Sequence, residues 1–175
     1  MSSPTATCCS SGSTRKGNAV DNAALLHYED FEPGRVFDLG TVEVSAEAIV
    51  EFAAQFDPQP MHLDEAAGKA SILGGLSASG WHTCAMLHRM MCDVILTRAA
   101  SEGGPGMEEV QWKRPVLAGD TLSATCTVRE RRLSSSRPGI GIIRIENRML
   151  NQRGDLVCLT RQPAFIRARN QEAME

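Results

Sequence analysis

From Ser79 to Ala100 the chain sets Trp81, Cys84, Ala85, Met86, Leu87, Met90, Met91, Val94, Ile95 and Leu96 on most sides of a helical wheel. A helix that is apolar all round is one that other elements must surround. As one helix it would run about 33 Å at 1.5 Å per residue, enough to cross a small domain. The sequence beyond it has a different period. Leu122, Ala124, Cys126 and Val128 alternate strictly with Thr121, Ser123, Thr125, Thr127 and Arg129, which marks a strand with one buried face. Ile143, Ile145 and Met149 oppose Arg144, Glu146 and Arg148 in the same way. Leu156 to Arg167 forms a last strand, in which Pro163 requires an edge, a bulge or a break because proline donates nothing to a ladder. The turns between, Ser134–Gly139 and Asn151–Asp155, are short and contain glycine, so the strands they join are antiparallel neighbours. A sheet with one apolar face needs a cover, and the Ser79–Ala100 helix is the only segment long enough to supply it.

Upstream, Pro33-Gly34 turns the chain into a strand from Val36 to Val44, with Gly40 as a bulge. Ser45 is placed to cap a helix from Ala46 to about Phe56, whose Ile49, Phe52, Ala53 and Phe56 share one face. Pro58 and Pro60 end that helix, and the segment from Asp57 to His62 is expected to be non-helical. A short helix from Asp64 to Ala70 follows, then a Gly74-Gly75 break. After the Ser101–Gly106 loop, Glu108 to Lys113 reads as a weaker strand. The expected organisation is a disordered N-terminal arm at 1–24, one domain at 25–169 and a tail at 170–175. His27 falls towards the arm.

The 175 residues fit one domain. With 18 basic against 21 acidic side chains and eight aromatics, the chain carries no basic stripe or stacking surface for nucleic acid. No run reaches the ~18–20 apolar residues of a membrane span. Residues 1–19 lack the apolar centre of a secretory signal, and the reading is a cytoplasmic protein. Cys8, Cys9, Cys84, Cys92, Cys126 and Cys158 form no C-x-x-C pair. Cys84 and Cys92 sit about 12 Å apart along one helix, beyond disulfide reach. Cys126 and Cys158 occupy apolar strand positions, as reduced core thiols do.

Two segments are able to carry chemistry. Asp57-Pro-Gln-Pro-Met-His62 holds a carboxylate and an imidazole at the ends of a proline-restricted segment, so the pair can grip one water or one substrate proton at low entropic cost. The plainer alternative is that Asp57 caps a helix and His62 is a satisfied core side chain. Gly74-Gly-Leu-Ser-Ala-Ser-Gly80-Trp-His82 places small residues at the start of the long helix, where free N–H groups can polarise a carbonyl; close packing explains the same residues more simply. His82 and His88 lie about 240° apart around the helix, which excludes a shared metal site. Ser77 and Ser79 lack a nucleophile-elbow context, and the glycines at 103–106 lack the lysine of a P-loop. Arg129, Arg131 and Arg132 form a basic knot, ordinarily a solvated edge, with an anionic group such as a phosphate as the alternative.

Taken together, these residues resemble the MaoC-like dehydratases, the (R)-specific enoyl-CoA hydratase branch of the hotdog-fold proteins, over about Tyr28 to Arg167. The family's motif of Asp, any residue, Asn, Pro, aliphatic residue and His stands here as Asp57-Pro58-Gln59-Pro60-Met61-His62. Its Pro-Val segment leading to Gly-Asp stands as Pro115-Val116-Leu117-Ala118-Gly119-Asp120. Gln59 replaces the usual Asn, and Ser79 replaces the His that often precedes the helix-opening glycine, here Gly80. The resemblance implies an α+β single hotdog fold, a long antiparallel sheet wrapped around a buried central helix. It implies catalysis by Asp57 and His62 on a water, with the Gly80 backbone N–H as oxyanion donor, acting on an enoyl-CoA thioester without metal or redox cofactor. It also implies a homodimer at least. Rival readings are a hotdog thioesterase and a non-catalytic acyl-CoA binding subunit.

Overall fold

In the computed structural model, which describes residues 25–169, the strands are β1 (Val36–Glu43), β2 (Glu109–Trp112), β3 (Thr121–Leu133), β4 (Ile140–Leu150) and β5 (Leu156–Arg167). They form one antiparallel sheet in the order β1-β3-β4-β5-β2. The helices are α1 (Ala46–Phe56), α2 (Pro60–Leu63), α3 (Glu65–Ala70) and α4 (Gly80–Val94), with 3-10 turns at Tyr28–Asp30 and Leu96–Arg98. Leu87, Met90 and Met91 of α4 join Leu122, Ile143, Ile145 and Ile166 of the sheet in one apolar core. This is the α+β hotdog arrangement, and the alternating residues of β3 and β4 are what build it: Leu122, Ala124, Cys126, Val128, Ile143, Ile145 and Met149 are all buried. The expected arm and tail, with Cys8 and Cys9, lie outside the described residues. His27 does not belong to an arm; it heads the first 3-10 turn, its backbone N–H donating to the Asp30 carboxylate at 2.8 Å.

Local chemistry sets the element boundaries. The Ser45 side chain caps α1 by accepting from Ala48 N at 3.1 Å. Gly40 breaks the β1–β3 register between Asp38 and Thr41 with φ +79°, a conformation glycine adopts without a Cβ penalty. In β5, Phe165 N and Arg167 N donate to Gly103 O and Ala100 O in the loop that precedes β2. Pro163 is in phase with them, so its missing donor faces the side where β2, paired only with residues 158–161, has already ended. A mid-strand proline is tolerated there because β5 is locally an edge.

Three expectations are corrected. The long helix ends at Val94 and tightens into the 3-10 turn at Leu96–Arg98, with Thr97 Oγ1 donating to Cys92 O at 2.8 Å; fifteen residues span only about 22 Å. Nor is it buried all round, since Trp81, Ala85, His88 and Arg89 are exposed. Phe56 shares the spacing of Ile49 and Ala53 but is 68% exposed: it is the last residue of α1, with the Phe52 ring 5.0 Å away.

Of the basic knot, Arg129 pairs with buried Glu146 at 2.6 Å and Arg131 with Glu32 at 2.7 Å. Two of its three cations are thus already neutralised by carboxylates of the fold. Burial pushes the Cys126 thiol up to about 12, consistent with an inert core residue. Among the described residues no helix is long and apolar enough to cross a membrane.

His82, on the first turn of α4, is 8% exposed and stacks on Phe52 with ring centroids 4.6 Å apart. Its Nδ1 has no partner among the described residues, and burial holds its pKa below the ordinary histidine value. A histidine kept neutral by the fold favours folding above its unfolded pKa of about 6.5, and that contribution is lost as pH falls towards the lower folded value. Urea midpoints are therefore expected to fall between pH 7.5 and 5.5. His82→Phe, which keeps the stack on Phe52, should flatten that slope; an unchanged slope would assign it to other groups.

Candidate active site

Asp57 terminates α1, its N–H still bonded to Ala53 O at 2.9 Å. The segment after it is not wholly irregular as expected, for Pro60 opens the single turn α2. Proline is accommodated at the first helical position, where its N–H would have no partner. That turn, closed by His62 N donating to Gln59 O at 2.9 Å, swings His62 inward beneath Asp57. His62 Nδ1 lies 2.7 Å from Ser77 O. A carbonyl only accepts, so the proton of the neutral ring sits on Nδ1 and Nε2 presents its lone pair. Nε2 in turn faces Asp57 Oδ2 at 3.8 Å.

The opposite wall is held by main chain. Ala78 N donates to Val116 O at 2.8 Å and Ala118 N to Leu76 O at 3.0 Å, so the Pro115–Asp120 segment clamps the strand-like approach to α4. Asp120 anchors this clamp by accepting from Leu117 N at 2.8 Å and from Gln152 Nε2 at 2.9 Å. At its end, Ser79 caps α4 and donates its hydroxyl to Asp57 Oδ2 at 2.5 Å. Gln59 Nε2 reaches Asp57 Oδ1 at 2.7 Å. These two bonds, Ser79 first, hold the Asp57 carboxyl below the usual carboxylate range, against a smaller opposing effect of burial.

Asp57, His62 and Gly80 line one cavity of about 420 Å³. Gly80 is the first residue of α4, where the backbone N–H lacks an intrahelical partner. The indole of Trp112 lies directly against it: a Cβ built on Gly80 would fall 2.5–2.7 Å from three of its ring atoms. Trp81 meets Trp112 edge-on at 5.5 Å. The sequence marks Ser79 and Gln59 only as departures from a motif and sets Ser77 aside as a nucleophile, yet Ser77 and Ser79 are the contacts of His62 and Asp57. Trp112 carries no sequence signal at all, because its place depends on β2 pairing with β5.

Chemically, two acceptors face each other at a distance too long for a direct hydrogen bond. A water about 2.8 Å from each can donate to both, which leaves its lone pairs free for attack. Ser79→Ala is expected to lift the Asp57 pKa towards its ordinary value, because it removes the first of the two donors. The acid limb of the pH–rate profile should then move to higher pH, whereas Ser79→Thr should restore it; a limb unmoved by either change would exclude the hydroxyl from a role in tuning Asp57.

A family profile described as the MaoC like domain matches residues 30–140. The crystal structure of the MaoC-like dehydratase from Rhodospirillum rubrum is 39% identical, with TM-score 0.77, covering 83% of this chain and 99% of that one. An uncharacterized protein of Bacillus subtilis, YdeM, is 28% identical over 66% of this chain and 82% of its own length. The R-hydratase of Pseudomonas aeruginosa superposes with TM-score 0.67 over 83% of this chain and 88% of its own; at 22% identity it speaks for the fold alone.

Proposed function

Because the chain belongs to the MaoC-like domain family, we propose that it is a hydro-lyase that interconverts a trans-2-enoyl thioester and its 3-hydroxyacyl thioester. The observation that carries this reading is the opposed pair of acceptors, Asp57 Oδ2 and His62 Nε2, 3.8 Å apart in a cavity that opens to solvent. In the hydration direction the bridging water attacks C3. The proton it sheds is taken up between Oδ2 and Nε2 and returned by His62 to C2, so that OH and H are both added. Charge that develops on the thioester oxygen is met by the Gly80 N–H at the positive end of α4.

A thioesterase reading would look to an acidic residue on the central helix α4. Asp93 of α4 is instead paired with Arg89 at 2.7 Å on an exposed turn, away from the cavity. The exposed Trp81 and the four-residue edge strand β2 suit a homodimer joined along that edge. The buried thiols of Cys126 and Cys158 suit the reducing cytoplasm. The reading is tested by following loss of conjugated enoyl absorbance with crotonyl-CoA and longer homologues. Loss without free thiol supports hydration; release of CoA thiol would make the protein a thioesterase.

A further inference from the structure

Ser77 and Leu117 face each other as an isolated antiparallel pair, between the approach to α4 and the loop that follows β2. The hydrogen bonds of this pair belong to its flanks, Ala78 N to Val116 O and Ala118 N to Leu76 O. The peptide groups of Ser77 and Leu117 themselves therefore point outward, away from each other. On the Ser77 side they meet α2: Ser77 N donates to Met61 O at 3.4 Å, and Ser77 O takes the Nδ1 proton of His62 at 2.7 Å. On the Leu117 side a single residue takes both. Asp120 N donates to Leu117 O at 3.1 Å, and Asp120 Oδ2 accepts from Leu117 N at 2.8 Å.

Asp120 is 6% exposed, and its two oxygens accept from neutral groups, Leu117 N and Gln152 Nε2. Burying a charge is costly unless hydrogen bonds replace its water. A neutral amide would be cheaper to bury, but it has one acceptor oxygen where a carboxylate has two, and both oxygens are in use here. Gln152, in the β4–β5 turn, reaches Oδ1 at 2.9 Å while its own Oε1 accepts from Thr121 N at 3.2 Å. The turn is tied internally, with Asn151 Oδ1 accepting from Arg153 N and Asp155 N, both at 3.0 Å. We propose that Asp120, steadied by Gln152, is a positioning residue for His62. By gripping Leu117 it fixes the Ser77 carbonyl, and with it the Nδ1 proton and the direction of Nε2. The kinetic consequence of this grip rests on the hydratase reading; its effect on the imidazole does not.

Imidazole ¹⁵N shifts report the tautomer of neutral His62 without turnover, its signals being those that His62→Ala removes. The wild type is expected to show the Nδ1–H form. Asp120→Asn turns an N–H towards either Leu117 N or Gln152 Nε2, and should admit the Nε2–H form. It should also lower kcat about tenfold, the effect of a small misplacement, while KM for crotonyl-CoA holds. Gln152→Glu, a change on an exposed residue, sets two carboxylates against each other and should act alike; it carries the same readouts if Asp120→Asn does not fold. In the double variant D120N/Q152E the new amide can donate to the new carboxylate, whose other oxygen still accepts from Thr121 N. Every hydrogen bond is then remade with one polarity reversed, and both the wild-type tautomer and most of the lost kcat should return. Single variants that melt lower yet keep tautomer and kcat would overturn the proposal and make Asp120 purely structural. So would a double variant that regains its melting temperature but neither of the other two. A wild type inactive on enoyl thioesters would instead overturn the hydratase reading, with the ¹⁵N spectra still deciding whether Asp120 sets the imidazole.

Discussion

Asp57→Asn is expected to lower kcat for enoyl-thioester hydration by about 10³-fold, the ordinary scale for loss of a general base, with an unchanged melting temperature. The amide keeps the size of the carboxylate and one oxygen for the Ser79 hydroxyl, but a bridging water no longer finds an anion on that side. His62→Ala should cost about as much, since the ring is the second acceptor in the same bridge. The double variant should be little worse than either single one, because residues that act as a unit are not additive. Strict additivity would mean that the two side chains do not share a water.

Gly80→Ala is the second large effect. The added Cβ falls inside the Trp112 indole, and overpacking of this kind costs about 1–3 kcal/mol. The indole must then shift, which alters the tryptophan emission and disturbs the wall beside the Gly80 N–H. A drop of about 10²-fold in kcat/KM is expected, the scale of a misplaced oxyanion donor. Unaltered emission together with unaltered activity would show that the indole does not sit on Gly80 in solution.

Much of this is legible in the sequence alone. The β3 and β4 alternation stated which faces are buried, Ser45 and Pro58 bounded α1, and Gly40 announced the bulge, because each is a local effect of spacing, capping or φ. The reading of α4 as a helix buried on every side failed for a physical reason. Apolar residues around a wheel do not say which of them a five-stranded sheet covers, and Trp81 and Ala85 are left exposed. Two prolines within three residues predict a non-helical segment from Asp57 to His62, yet at the first helical position Pro60 is a starter. Asp57, His62 and Gly80 could be singled out by motif. Their neighbours could not: the Ser77 carbonyl that sets the His62 tautomer and the Trp112 ring over Gly80 arise from pairings between segments far apart in sequence.

The Ser79 hydroxyl accepts from Trp81 N at 3.2 Å and donates to Asp57. One atom thus begins the central helix and orients the reactive carboxylate. A substitution at this position therefore registers twice, in the start of α4 and in the pH dependence of turnover, and the two losses should move together across a set of variants.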